Sequence, residues 1–152
     1  MRSNDYYVIA CNDLLYLQNT LNTKYYNQIA IGAQQVAEKM LKSVAERSCM
    51  DIEKLMHSHN LRGLYTEIHK NDESFVLDKG ELSILKDMYF DAKYPGDNYV
   101  EVDRETCQEC LAIMYATIKM TNMFREKHDL ECFGYKELYL EDNNECSEIH
   151  AF

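Results

Sequence analysis

The chain has 152 residues, of which 46% are hydrophobic, and it carries a formal net charge of −10 at pH 7. The hydrophobic fraction excludes a largely disordered chain, and the acidic balance excludes the broad excess of Lys and Arg on which general DNA or RNA binding depends. Only 1 Pro and 5 Gly are present, so the turn signals that a β-sandwich needs about every 8–12 residues are missing, and helices are favoured.

Two helices are predicted in the first third of the chain. Apolar residues recur at spacings of three and four over 4–22, where Ser3 or Asn4 is placed to cap the start. The segment 24–47 has a wide apolar face and is the clearest helix in the sequence. The polar side chains opposite this face are Gln34, Glu38, Lys42 and Glu46. We expect Glu38 and the neighbouring Lys39 to contact solvent or a partner. Glu38 and Lys42 are also spaced for an ion pair within the helix.

Shorter helical segments are predicted in the middle of the chain. A turn of helix is expected over 52–56, followed by helices over 59–71 and 78–92, the last with Asp78 as its N-cap. Pro95 and the Gly-Asp-Asn that follows it end this region firmly.

The last long helix is predicted over 103–128, with Asp103 as its N-cap. From Asp129 onward seven acidic residues stand against one basic residue, so this part carries −6 of the net charge of −10. We therefore divide the chain into a helical bundle over 1–128 and an acidic tail over 129–152, which is expected to form a short helix or to be partly ordered. Long helices joined by short loops predict an all-α fold, an antiparallel four- to five-helix bundle.

Cysteine usage and hydropathy indicate a compartment. The apolar run 6–10 is too short and too interrupted for a signal peptide, and no run approaches the roughly 18 apolar residues of a membrane span. We therefore expect a cytoplasmic protein without membrane association, in which the six cysteines are reduced. Cys107-x-x-Cys110 shares one helical face, and a core position is expected because a zinc site would need a second pair. No metal or other cofactor is expected.

Three short segments, in this order and spacing, resemble motifs of the HEPN family of bacterial and archaeal helical domains. The stretch 33–42 resembles the family's Gln-x-Ala-Glu-Lys-x-x-Lys, and His59-Asn60-Leu61-x-x-Leu64 is similar to its His-x-Leu-x-x-Leu. Tyr89-x-x-x-Lys93-Tyr94-Pro95 resembles the family's Tyr-x-x-x-Arg-Tyr-Pro. With the helix order, the resemblance extends over residues 5–128.

The resemblance implies a bundle that forms homodimers, takes part in nucleotide or RNA chemistry and often has a small nucleotidyltransferase as its protein partner. Lys93 replaces the family's usual Arg, which keeps the charge but loses the planar fork that suits phosphate. Ribonuclease members carry an Arg and a His with four to six residues between them near the start of the last helix, and Arg104 has no such His after it. Arg62 and His69 have this spacing but lie on an earlier helix. RNA cleavage is therefore not expected.

The residues of these motifs have structural as well as functional interpretations. Lys93 is placed to hold a phosphate while Tyr89 and Tyr94 stack on a base; alternatively, the tyrosines are edges of the core and Lys93 contacts the last carbonyls of its helix. His59 is either a proton-transfer residue or a residue that bonds to the backbone at a helix start.

The leading functional hypothesis is a non-catalytic HEPN-type domain that acts as a homodimer and with a nucleotidyltransferase-type partner. It would bind a nucleotide or RNA end, and the ligand-binding residues predicted are His59, Tyr89, Lys93, Tyr94 and Arg104. One alternative is a metal-independent, toxin-like ribonuclease, as in toxin–antitoxin systems, whose Arg and His meet only in the folded dimer. Another is an interaction scaffold whose acidic tail contacts a basic protein.

Overall fold

The fold is an α-helical bundle. In the computed structural model the described residues are 5–49, 52–96 and 99–141, and within these ranges every regular element is a helix. The helices are α1 (Tyr6–Gln18), α2 (Tyr26–Ser48), α3 (Ile52–Met56), α4 (Leu61–Asn71), α5 (Lys79–Asp91) and α6 (Arg104–Lys127). The all-α prediction is confirmed, and the predicted helices differ from these mainly at their ends.

Short polar side chains fix where the helices begin. Asp78 accepts a hydrogen bond from the Glu81 amide at 2.9 Å, and Asp103 accepts one from the Thr106 amide at 2.7 Å, so both predicted N-caps are confirmed. The cap of α1 is Asp5, since Ser3 and Asn4 lie outside the described residues. This helix ends at Gln18 rather than at 22, because the chain forms turns over 19–22.

Helix α2 lies at the centre of the bundle, where it packs against α1, α3, α4, α5 and α6. Because neighbours surround it, it keeps no broad solvent face. Gln34, Glu38 and Lys42 are buried, so Glu38 is not solvated, whereas its predicted ion pair with Lys42 forms at 3.2 Å. The 3.6-residue period correctly divided the helix into apolar and polar sides, but the polar side is covered as well.

Helices α1 and α2 pack at close range around Gly32. A Cβ atom added to this residue would lie 2.8 Å from Cδ1 of Leu17. A methyl group at this crossing would therefore force the Leu17 side chain to move.

After α6 the chain reverses direction and runs back along the helix. Asp129 adopts a left-handed conformation with φ of 57°, and the Leu130 amide donates to the Arg125 carbonyl at 2.8 Å. We call residues 129–141 the strap. They contain no helix beyond this turn, and the remaining tail residues lie outside the described ranges.

Buried tyrosine hydroxyls hold the strap in place. Tyr7 Oη accepts a hydrogen bond from the Phe133 amide at 3.0 Å. Tyr115 Oη donates to the Leu138 carbonyl at 2.6 Å and accepts from the Leu138 amide at 2.9 Å. Leu140 is buried against the bundle. The strap therefore completes the core of the domain.

Candidate ligand-binding site

Four of the predicted site residues meet at one end of the bundle. His59 lies just before α4, Tyr89 lies in the last turn of α5, and Lys93 and Tyr94 follow that helix. Tyr89 and Lys93 are four residues apart, a spacing that places both side chains on the same side of the chain. The motif that contains His59 and the motif that contains Tyr89 are distant in sequence but meet at this end of the bundle.

The His59 ring is held on both sides. It stacks on the Tyr89 ring with centroids 4.0 Å apart and planes 15° from parallel. Its Nδ1 lies 3.0 Å from Oε1 of Glu38 on α2. Since a carboxylate accepts hydrogen bonds, Nδ1 carries the proton and Nε2 is left as the second functional nitrogen. The side chain is 42% exposed, so a ligand can reach this ring.

Glu38 is the centre of a buried polar network. Its Oε1 also accepts from Nε2 of Gln34 at 3.0 Å, and its Oε2 lies 3.2 Å from Nζ of Lys42. The Glu38 and Lys42 side chains are only 11% and 6% exposed. Removing two charges from water is costly, and their mutual attraction with further hydrogen bonds offsets that cost. The carboxylate that orients His59 is therefore itself held rigidly.

Lys93 supplies a positive charge beside the same rings. Its Nζ lies 5.1 Å from the Tyr89 ring centroid and 5.4 Å from that of Tyr94, both within range of a cation–π interaction. Within the described ranges no carboxylate forms a salt bridge with Lys93. The charge is therefore available to an anion.

An open pocket of about 390 Å³ borders this group on the His59 side. Phe90 lines it and meets the Tyr89 ring edge-on, with centroids 4.6 Å apart. Lys86, Asp87 and Asp91 line the same pocket. We call His59, Tyr89, Phe90, Lys93 and Tyr94 the aromatic cluster. It combines exposed aromatic rings with a cation and a histidine, a chemistry suited to a flat, negatively charged ligand.

A comparison with models of protein families assigns the chain to a family. A family model described as HEPN domain matches residues 3–124. The chain belongs to the HEPN domain family. No curated protein and no solved structure matches it. In this HEPN chain, no described helix combines the length and hydropathy needed to cross a membrane.

Arg104, the fifth predicted site residue, has a different partner in this HEPN domain. Its Nη2 donates to the Glu141 carbonyl of the strap at 2.7 Å. Its Nε is buried and has no hydrogen-bond partner among the described residues. Unlike the other four predicted residues, Arg104 makes none of the contacts of the aromatic cluster, and its described contact is structural.

His69, which follows Arg62 on α4, is held by contacts within the domain. Nδ1 of His69 lies 2.8 Å from the Phe75 carbonyl, so this nitrogen is the donor, and its ring tilts against Tyr65. The Arg62 side chain is exposed at the start of α4. Nδ1 of His69 therefore has a structural role.

Sequence reasoning missed two parts of the site. Phe90 was not singled out, although its place between the motif residues Tyr89 and Lys93 was a usable signal. The Glu38–His59 contact joins residues 21 positions apart, and no local pattern predicts such a contact. Both residues do lie in the HEPN-like segments, which was the only sequence sign that they belong together.

Cys107 and Cys110 pack in the core, as predicted. Burial raises the pKa of each thiol to about 12, and that of Cys11 to about 11. Since only the thiolate reacts, about one in 10,000 molecules of a thiol with a pKa of 12 is reactive at pH 8. We expect iodoacetamide at pH 8 to modify the exposed Cys132 before these three, as measured by peptide mass spectrometry.

In urea the same reagent should modify all of these cysteines at similar rates. Modification of Cys107 in the folded protein as fast as that of Cys132 would contradict the buried position.

Proposed function

We propose that this chain is a non-catalytic HEPN-type domain that binds a nucleotide or an RNA end, acts as a homodimer and works with a nucleotidyltransferase-type protein partner. The proposal of ligand binding rests on the aromatic cluster, in which Lys93 lies beside two tyrosine rings and His59 stacks on one of them. Family membership supports a HEPN-type role in general, and the finer assignment rests on this chemistry.

Each member of the cluster has a role in such binding. Lys93 holds a phosphate oxygen as a point charge, and Nε2 of His59 makes a hydrogen bond to the ligand. Phe90 and Tyr94 offer exposed ring faces to a base. A single lysine lacks the two-pronged geometry of an arginine, so the binding is weak.

The homodimer is supported by apolar side chains outside the aromatic cluster that stay exposed on and just before α5, namely Val76 and Ile84. Sedimentation velocity of the purified chain measures its oligomeric state. A monomer at micromolar concentration would remove this part of the proposal. Co-expression with a nucleotidyltransferase encoded beside the gene, followed by size-exclusion chromatography, tests the partner.

Calorimetric titration with ATP, GTP and a short RNA tests the ligand. We expect binding by at least one of them and a loss of about tenfold in affinity for Lys93→Ala, because a hydrogen bond to a charged group contributes about 1.5–3 kcal/mol. Lys119→Ala, on the exposed face of α6, is the matched control and should bind like the parent chain. Absence of both heat and thermal stabilisation with all three ligands would remove the proposed function.

The Glu38–His59 hydrogen bond specifically favours the alternative of metal-independent RNA cleavage. A carboxylate on Nδ1 orients an imidazole for proton transfer at Nε2. Incubation of the pure protein with labelled RNA in the presence of a chelator distinguishes the two functions. Cleavage that disappears in His59→Ala would replace the binding role with an enzymatic one.

A further inference from the structure

A second, larger groove begins where the aromatic cluster ends. It has a volume of about 850 Å³, and its walls are the end of α1, the first half of α2 and the chain that follows α5. Lys93 lines this groove as well as contacting the cluster rings. Lys93 therefore lies where the aromatic cluster meets this groove.

Asn27 of α2 fixes the wall that carries Lys93. Its Nδ2 donates to the carbonyls of Ala92 at 3.0 Å and Val100 at 2.8 Å, and its Oδ1 accepts from the Val102 amide at 2.7 Å. The hydroxyl of Tyr99 lies 3.2 Å from the same Nδ2. One side chain thus ties the α5–α6 connection to α2, so the groove is preformed.

Three exposed tyrosine rings line the groove: Tyr16, Tyr25 and Tyr99. Tyr16 is 75% exposed and Tyr25 is 69% exposed. No ring contact involves any of the three among the described residues. An unstacked tyrosine beside a cavity is a platform on which a planar base can stack.

Apart from Lys93, the polar lining of the groove carries no uncompensated charge, and part of it makes no hydrogen bond. Asp13 is paired with Lys39, so its negative charge is compensated. The side chains of Gln28 and Gln35 make no hydrogen bond within the described part of the chain. Amides present both a donor and an acceptor, which suits the edges of bases without demanding one of them.

We infer that this groove is a second subsite, which takes the neighbouring base and ribose of a single-stranded oligonucleotide whose phosphate lies on Lys93. This inference rests on the proposed function and adds that the ligand is longer than a mononucleotide. The volume lies within the range of small-molecule sites, about 300–1,000 Å³, and far exceeds what a phosphate alone fills. The groove adds stacking surfaces but no further cation. The higher affinity of a longer ligand therefore comes from its bases stacking on the tyrosine rings.

Fluorescence anisotropy with a fluorescein-labelled hexa-adenylate, together with calorimetry with AMP, tests the subsite. We expect the parent chain to bind the hexanucleotide at least about fivefold more tightly than AMP, since one stacked base contributes at least that factor. Tyr25→Ala should remove most of this gain and leave AMP affinity unchanged. Lys93→Ala should weaken both ligands, and Tyr139→Ala, an exposed tyrosine on the strap, should weaken neither.

Deoxyadenylate of the same length shows whether the ribose hydroxyl contributes. Equal affinity of AMP and the hexanucleotide, or full hexanucleotide affinity in Tyr25→Ala, would overturn the subsite while the proposed function stands. Failure of both ligands to bind the parent chain would overturn the proposed function and the subsite with it. The melting temperature of each variant verifies that it is folded.

Discussion

Ending the chain after His128 is expected to lower the free energy of unfolding by about 3 kcal/mol or more. The truncation removes Leu140, whose buried side chain contributes about 2 kcal/mol, and the strap's hydrogen bonds to the buried hydroxyl of Tyr115, at about 1 kcal/mol each. It also uncovers the ring of Tyr7, over which Phe133 stacks at 5.9 Å. Urea unfolding followed by circular dichroism measures the change.

A chain that ends after Glu141 is the matched control. It loses acidic tail residues but keeps every strap contact described above, so its stability should stay close to that of the full chain. Equal stability of the two truncated proteins would contradict the role of the strap in the core. Deleting 129–152 would therefore be a poor test of the scaffold hypothesis, because it would destabilise the bundle as well as remove the acidic tail.

Lys42→Met is expected to lower the free energy of unfolding by about 3 kcal/mol, because it leaves the buried Glu38 carboxylate without its cation. Methionine has a similar length and keeps the packing of the stem, so the effect reports the lost charge. The double variant Glu38→Gln with Lys42→Met should recover part of the loss, since the uncompensated charge is gone. Urea unfolding of the two proteins measures both effects.

The control is the same substitution in an exposed pair. Lys70 and Glu67 lie 3.0 Å apart on α4, with side chains 65% and 42% exposed. For Lys70→Met we expect a loss of about 0.5 kcal/mol or less, because exposed pairs contribute little. A loss for Lys42→Met no larger than that for Lys70→Met would show that the buried pair is not a stabilising contact.

The sequence predicted the helices because their signals are local. Asp78 and Asp103 mark helix starts through bonds that span three residues, and Pro95 marks a break through its own ring. The strap could not be predicted in this way. Its amides donate to the hydroxyl of Tyr7, which is 126 residues away in sequence, and to that of Tyr115, which is 23 residues away. No periodic pattern in the tail indicates these hydrogen bonds.

The site was predicted only in part, because some of its contacts join residues that are distant in sequence. Motif resemblance identified His59, Tyr89, Lys93 and Tyr94, which do meet, but it also suggested Arg104, which bonds to the strap instead. The buried position of Glu38 and Lys42 was missed because an amphipathic pattern does not show how many neighbours a helix has. The groove beside Lys93 arises from Asn27 joining chain segments 65 and 73 residues away, and only the folded chain brings these together.

Binding of the ligand by the aromatic cluster is tested most directly by NMR of the histidine side chains during titration with ATP. We expect the imidazole signals of His59 to shift with saturation, those of His69 and His128 to stay in place, and Lys93→Ala to abolish the shift. Saturable binding that leaves the His59 signals unchanged, or that persists unaltered in Lys93→Ala, would contradict binding at the aromatic cluster.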